Sequence, residues 1–179
     1  MSLILQSSGG GQITISEPAT ASNFTQTLPA ATGNVMVSGN MPAFSAYSTA
    51  TVTAANTTFT KVTYDTEDYD TNNNFASSRF TPTVAGYYQI NATIIFAGIV
   101  VSGKISLVTI YKNGSRFLDG NAAAQISGVT TYNSVSGLVY LNGSTDYVEI
   151  YGYQDTGGSQ NIGSLAANQK FTGCMIRSA

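Results

Sequence analysis

The sequence contains no histidine and a single cysteine, Cys174. Histidine is the commonest general base and the commonest transition-metal ligand in proteins, so its absence weighs against catalysis and against a zinc centre. One thiol cannot form a disulfide within the chain, and by itself it makes no zinc site. Glu149 and Asp155 match the carboxylates of a glycosidase by residue type only, since no spacing singles out a pair. We therefore expect a protein that is not an enzyme.

Charge is also scarce, because charged residues make up 9% of the chain against roughly 25% in an average soluble protein. Seven basic and nine acidic residues give a net charge of −2, and the cations are scattered. A nucleic-acid partner needs clustered Lys and Arg and is disfavoured. The longest apolar run, residues 94–101, is far shorter than the roughly 18 residues of a membrane-spanning helix. We expect no membrane insertion.

From residue 43 onward, short runs rich in Thr, Val, Tyr and Phe alternate with turn residues. Such side chains favour pleated, half-buried surfaces, and no segment shows a sustained helical period. Two Asn-Gly pairs, Asn113-Gly114 and Asn142-Gly143, suit tight turns with positive φ. The pattern predicts an all-β fold, a sandwich or jelly roll. The predicted strands are residues 51–53, 58–64, 79–84, 87–96, 104–111, 134–141, 146–153 and 170–176.

Residues 1–42 differ from the rest, because short apolar pieces alternate there with Gly and Pro and few large side chains are present. Within them, residues 23–33 predict a strand that runs into a turn. The segment is expected to depend on neighbouring chains, with the junction at residues 39–42. The chain is thus divided into a β-rich attachment segment, residues 1–42, and a head, residues 43–179.

Four acidic residues, Asp65, Glu67, Asp68 and Asp70, lie within six positions. Calcium prefers several oxygen ligands close together, so these residues are the candidate metal site, with calcium as the only cofactor considered. An EF-hand beginning at Asp68 fails, since Asn73 and Arg79 occupy its glycine and terminal glutamate positions. The alternative is a solvated acidic loop.

The eleven tyrosines allow two interpretations. They could line a receptor-binding surface, because Tyr gives a large contact area at a low entropy cost. Their positions on predicted strands favour core or subunit contacts for most of them.

Residues 43–179 resemble the jelly-roll head of the C1q and tumour-necrosis-factor families. Asp65 stands where those families usually have Asn, and Ile90 stands where they have an aromatic residue. The segments that carry the resemblance are residues 42–46 (PAFSA), 59–65 (FTKVTYD), 79–90 (RFTPTVAGYYQI), 110–114 (IYKNG), 144–150 (STDYVEI) and 170–176 (KFTGCMI).

The resemblance implies a two-sheet antiparallel jelly roll that forms a compact homotrimer, with the inner sheets of three subunits packed about an axis. Scarce charge and abundant aromatic residues agree with apolar surface hidden between subunits. The residues expected to make trimer or core contacts are Phe44, Tyr47, Phe80, Tyr88, Phe171 and Met175.

The end of the first segment, residues 27–33 (TLPAATG), looks like segments of bacteriophage tail-fibre and virion-surface proteins. This resemblance implies a trimeric virion structural protein on the particle surface, joined to other virion proteins through residues 1–42. The expected function is binding to a host-surface glycan or protein as a fibre or spike tip, through exposed loops at residues 65–74 and 153–164. The alternatives are a capsid-decorating protein that stabilises the head and a polysaccharide depolymerase.

Overall fold

The structure is a computed structural model that describes residues 2–16, 19, 25, 27, 30, 36–96, 103–163 and 168–179. The chain divides into two compact units, Met1–Gly33 and Asn34–Ala179, and the second unit contains the head, residues 43–179. The strand-to-turn prediction for residues 23–33 lies almost entirely outside the described residues. No helix of the described residues is long and apolar enough to cross a membrane.

The first unit contains an antiparallel hairpin of strands β1 (Ser2–Gln6) and β2 (Gln12–Ser16). Its register places Leu5 opposite Ile13, and Ile4, Leu5, Ile13 and Ile15 are all more than half exposed. A two-stranded hairpin is at best marginally stable alone in water. The hairpin therefore presents apolar side chains that its own described residues leave uncovered.

The head is built from strands, preceded by one turn of 3-10 helix at Ser38–Asn40. Its described strands are β3 (Ala43–Tyr47), β4 (Thr51–Ala54), β5 (Thr60–Lys61), β6 (Thr66–Asp70), β7 (Phe75–Ala76), β8 (Arg79–Phe80), β9 (Gly86–Phe96), β10 (Ile105–Lys112), β11 (Ser115–Ala124), β12 (Thr131–Leu141), β13 (Val148–Gln154), β14 (Gln160–Gly163) and β15 (Lys170–Ser178).

These strands form two sheets in which every described pairing is antiparallel. Sheet I has the order β4-β14-β9-β15-β3-β6, with β12 also paired to β9. Sheet II has the order β11-β10-β13-β8-β7, with β5 also paired to β13. The prediction of a two-sheet antiparallel fold is confirmed.

The core lies between the sheets and follows the two-residue alternation of the strands. Strand β9 buries Tyr88, Ile90 and Ile94 from sheet I. The ring of Phe44 lies 4.3 Å from that of Phe80 and 4.9 Å from that of Phe171, measured between centroids. Such offset and edge-on aromatic pairs add stability beyond the area that they bury.

Gly173 shows how closely this core is packed. A Cβ atom at that position would lie 2.6 Å from the Phe44 ring and 2.8 Å from Ile90. The missing side chain at Gly173 therefore leaves room for the Phe44 ring and for Ile90.

Of the six residues predicted to make trimer or core contacts, five are buried in the core of a single head, namely Phe44, Phe80, Tyr88, Phe171 and Met175. The sixth, Tyr47, is half-buried at the end of β3, where Lys170 Nζ lies 4.6 Å from the centre of its ring.

Several strands of the head were not predicted. Residues 65–74 and 153–164 were predicted as loops but contain β6 and β14, and β7 and β11 were not anticipated. Strands β6 and β11 end their sheets, and edge strands tolerate the charged and small residues found there. Conversely, residues 79–84 yield only the short strand β8, because Pro82 has no N–H to donate to a ladder.

Candidate functional site

The solvent side of sheet II carries a group of aromatic side chains, cations and one buried carboxylate. Strand β13 buries Val148 and Ile150 against the core, so Glu149, Tyr151 and Tyr153 point away from it. Cross-strand pairing brings Tyr111 opposite Glu149 and Lys61 opposite Tyr151. The outward residues of β5, β10 and β13 therefore share one surface.

Five partly buried aromatic rings define what we call the aromatic face: Phe59, Tyr111, Tyr147, Tyr151 and Tyr153. Tyr111 stacks on Tyr151 with 3.9 Å between ring centroids. Phe59 lies 5.0 Å from Tyr153 and 5.9 Å from Tyr111. Rings held in this way offer a rigid apolar platform that loses little entropy when a ligand binds.

Cations lie over two of these rings. The guanidinium carbon of Arg116 is 4.8 Å from the centre of Phe59, and that of Arg79 is 3.8 Å from the centre of Tyr147. These distances are typical of cation–π attraction. Arg116 also pairs with Asp119 on the same strand.

Glu149 is the buried charge of this surface, with a side chain only 4% exposed. Its Oε1 accepts hydrogen bonds from Lys61 Nζ at 2.7 Å and from Arg79 Nε at 2.8 Å. Burial raises the pKa of the Glu149 carboxyl, the bonds from Lys61 and Arg79 lower it, and the net result is a pKa below its ordinary value. The carboxylate is therefore ionised at neutral pH and fixes both cations.

Three of the four acidic residues of the predicted metal site are held by separate partners. Asp65 accepts bonds from the amide and hydroxyl of Thr49 at 2.8 and 2.9 Å. Asp70 accepts a bond from the Phe75 amide at 2.6 Å, and Glu67 lies exposed on β6.

Asp68 accepts bonds from Lys170 Nζ at 2.5 Å and from Ser45 Oγ at 2.6 Å. The bond from Lys170 lowers the pKa of the Asp68 carboxyl, as does the bond from Ser45. Among the described residues, no three acidic or cysteine side chains are grouped so that they could hold a metal ion. The carboxylates of this segment thus serve as local hydrogen-bond acceptors on an edge strand, and calcium binding stays a prediction.

The solvent side of sheet I is different, because it exposes large apolar side chains. We call these five residues, which are 40–56% exposed, the apolar patch: Tyr87, Tyr132, Leu138, Tyr140 and Ile176. Strand pairing places Tyr140 opposite Tyr87, and their rings lie 5.4 Å apart. Large exposed apolar side chains on one sheet face are typical of interaction surfaces.

The comparisons with known proteins now bear on the fold. No protein-family model and no curated protein matches the chain. The globular domain of zebrafish complement 1qA matches with 19% identity and a TM-score of 0.55, over 77% of this chain and 99% of that one. Murine APRIL, crystallised at pH 5.0, matches with 8% identity and a TM-score of 0.57, over 76% and 99% of the two chains.

A bacteriophage protein shares the same fold. The PRD1 vertex protein P5 matches with 18% identity and a TM-score of 0.52, over 78% of this chain and 98% of that one. The chain therefore has the C1q/TNF-like jelly-roll fold, and the resemblance stated from its sequence is confirmed for the fold.

The aromatic face was not predicted as a unit. Only Tyr64 and Tyr88 of the eleven tyrosines are buried in the core of one head, so subunit contacts for most of the others stay a prediction. The signal was present in residues 147–153, where Tyr, Glu, Tyr and Tyr alternate with Val, Ile and Gly. In a strand with one buried face, that alternation puts the tyrosines on the solvent side.

Proposed function

We propose that the chain is a trimeric structural protein of a bacteriophage particle, which displays its jelly-roll head at the virion surface and binds the host surface without turnover. The apolar patch of sheet I is the observation that carries the proposal. Tyr87, Leu138 and Tyr140 lie together on neighbouring strands with at least 40% of each side chain in water. A second and a third copy packed about an axis would cover these side chains on every subunit.

The virion assignment rests on two further observations. A vertex protein of the phage PRD1 has the same fold. The hairpin of β1 and β2 exposes Leu5, Ile13 and Ile15, which supports attachment of residues 1–42 to other virion proteins by burial of apolar surface.

The host-binding assignment rests on the placement of the aromatic face. That face lies on sheet II, whereas the apolar patch lies on sheet I, so packing of the patches leaves the aromatic face in water. Three copies would present three such faces, and weak contacts multiply through effective concentration. Residues 65–74 and 153–164 remain candidate contact segments beside it.

The experiment is imaging of the intact particle with an antibody raised against the recombinant head. Label confined to a tail tip or spike is expected. Particles that carry no label, although they contain the protein by mass spectrometry, would contradict surface display.

Capsid decoration is the second candidate, and the likeness to a vertex protein favours it. In that case residues 1–42 would bind neighbouring capsid subunits. Label distributed over the capsid would support decoration over host attachment. Capsids that lose thermal stability when residues 1–42 of this protein are deleted would support it as well.

A further inference from the structure

A cavity of about 450 Å³ opens beside Glu149 at the edge of sheet II. Its lining includes the cations Lys61 and Arg79 and the neutral polar residues Asn73, Thr81 and Thr83. This volume is in the range of small-molecule sites, which is roughly 300–1,000 Å³.

The charges at this cavity do not cancel. Lys61 and Arg79 share one carboxylate, that of Glu149, through the same oxygen atom. Asp70 is not among the residues that line the cavity, and its carboxylate accepts bonds from the amides of Phe75 and Asn72. The cavity therefore keeps one unneutralised positive charge, which favours a monoanion.

Arg79 supplies the geometry for such an anion. It donates to Glu149 through Nε only, and its two terminal amino groups donate to no acceptor among the described residues. A free pair of guanidinium amino groups matches the two oxygens of a carboxylate. Its position over the Tyr147 ring fixes the plane of the guanidinium group.

The opposite wall is prearranged and neutral. Asn74 is buried, its Oδ1 accepts a bond from the Thr83 amide at 3.3 Å, and its carbonyl accepts one from the Thr81 amide at 2.8 Å. The Thr83 hydroxyl lies 3.4 Å from Asn74 Nδ2, and Asn73 is exposed at the cavity. Hydroxyl and amide groups of this kind suit the hydroxyl groups of a sugar.

We propose that this cavity binds the carboxylate-bearing sugar of an acidic surface glycan, with the sugar carboxylate on Arg79. This inference rests on the proposed host-binding function and names its ligand class. The single excess charge favours a carboxylate over a phosphate monoester, which carries nearly two negative charges at neutral pH.

The test measures binding of the full chain to tri-galacturonate and to its methyl ester by calorimetry. The ester has the same shape but no charge, so the acid is expected to bind at least about tenfold more tightly. Equal binding of the two, or no binding of the acid at about 10 mM, would overturn the proposal. Tighter binding of glucose 6-phosphate than of galacturonate would also overturn it.

Two variants locate the site. Arg79→Lys keeps the pair with Glu149 but loses the paired donors, and Asn73→Asp adds a negative charge to the cavity wall. Each is expected to weaken tri-galacturonate binding at least about fivefold, while the circular dichroism spectrum stays that of the folded chain. Arg177→Lys and Asn168→Asp are the matched controls outside the cavity and should bind as the unmodified chain does.

Unchanged affinity in both cavity variants would place the sugar elsewhere and overturn the assignment. Loss of sugar binding in these variants is independent of particle labelling. If the antibody labels the particle but the chain does not bind acidic sugars, this inference alone is contradicted. The proposed display at the virion surface is then unaffected.

Discussion

At the scale of single residues, Glu149 organises the solvent side of sheet II. It holds Lys61 and Arg79 at 2.7 and 2.8 Å while its own side chain is almost fully buried. Removing one partner of a buried ion pair costs more than the pair contributes, because the remaining charge loses its compensation. Stability and the geometry of the cation pair therefore depend on the same carboxylate.

Glu149→Gln is expected to lower the free energy of unfolding by about 2 kcal/mol, since both cations are partly exposed and recover some hydration. Glu67→Gln, on exposed strand β6, is the matched control and should stay within about 0.5 kcal/mol. Urea unfolding at pH 7 measures both. Equal effects of the two substitutions would mean that the buried network contributes nothing.

The fold is expected to lose stability in acid, because several of its carboxyl groups have lowered pKa values. The hydrogen bond from Lys170 holds the pKa of Asp68 below its ordinary 3.8, and that from Arg116 does the same for Asp119. The pKa of Glu149 lies below its ordinary 4.5. Because the unfolded chain binds protons more readily than the folded one, stability present above about pH 4.5 is lost as the pH falls.

At alkaline pH the stability of the fold changes in the opposite direction, falling as the pH rises. Burial raises the pKa of Tyr88 from 10.0 to about 12, so the unfolded state loses its phenolic proton first and stability falls as the pH rises above about 10. With no histidine in the chain, the urea midpoint should be flat from about pH 6 to 8. A step within that interval would contradict this account.

At the residue scale, the sequence could predict which side chains point outward, but not which distant side chains meet. The strand alternation in residues 147–153 could have identified the outward tyrosines. The pairing of Glu149 with Lys61 and Arg79 could not be predicted, because these residues lie 88 and 70 positions away in sequence. Only the cross-strand register of β5, β8 and β13 brings them together.

At the scale of elements, turn chemistry was predictable where it is local. Asn113 and Gly114 have φ values of 52° and 76° and join β10 to β11 directly, so the predicted tight turn is confirmed. At Asn142-Gly143 only Gly143 has positive φ. There the Asn142 side chain accepts bonds from the amides of Ser144, Thr145 and Asp146 and shapes a longer loop.

Gly143→Ala is expected to destabilise the head by about 3 kcal/mol. Its φ is +71°, and a Cβ would lie 2.3 Å from the Ala85 amide nitrogen. Gly158→Ala has open space around the new methyl group and should change stability by less than about 0.5 kcal/mol. Thermal unfolding compares them, and similar midpoints for the two variants would refute the close approach.

The edge strands β6 and β11 could not be predicted from the sequence. Strand β6 contains three acidic residues in five positions, and β11 contains Arg, Asp, Asn, Gly and three Ala. Neither shows the β-branched pattern of a central strand. Their backbones are ordered by β3 and β10, respectively, which is a tertiary effect that local propensity does not record.

At the scale of the whole molecule, the proposed function assigns subunit contacts to the apolar patch of sheet I and ligand binding to the aromatic face of sheet II. The fold was predictable from the sequence because its strand segments follow one another in the order of the C1q/TNF-like jelly roll. The position of the uncovered surface was not, since both sides of several strands are apolar in sequence and only the structure shows which side faces water.

Leu138→Lys tests the role of the patch. Leu138 is 54% exposed at present, so a lysine there costs a single head little, but it would leave a charge unpaired between subunits. We expect the oligomer to dissociate while the circular dichroism spectrum stays unchanged. Ile105→Lys, 40% exposed on sheet II, is the control and should leave the assembly intact.

The most direct measurement is sedimentation equilibrium of the full chain at micromolar concentration. The account predicts a protein species with three times the chain mass of 18.7 kDa. A well-folded, stable species at the mass of one chain would contradict it.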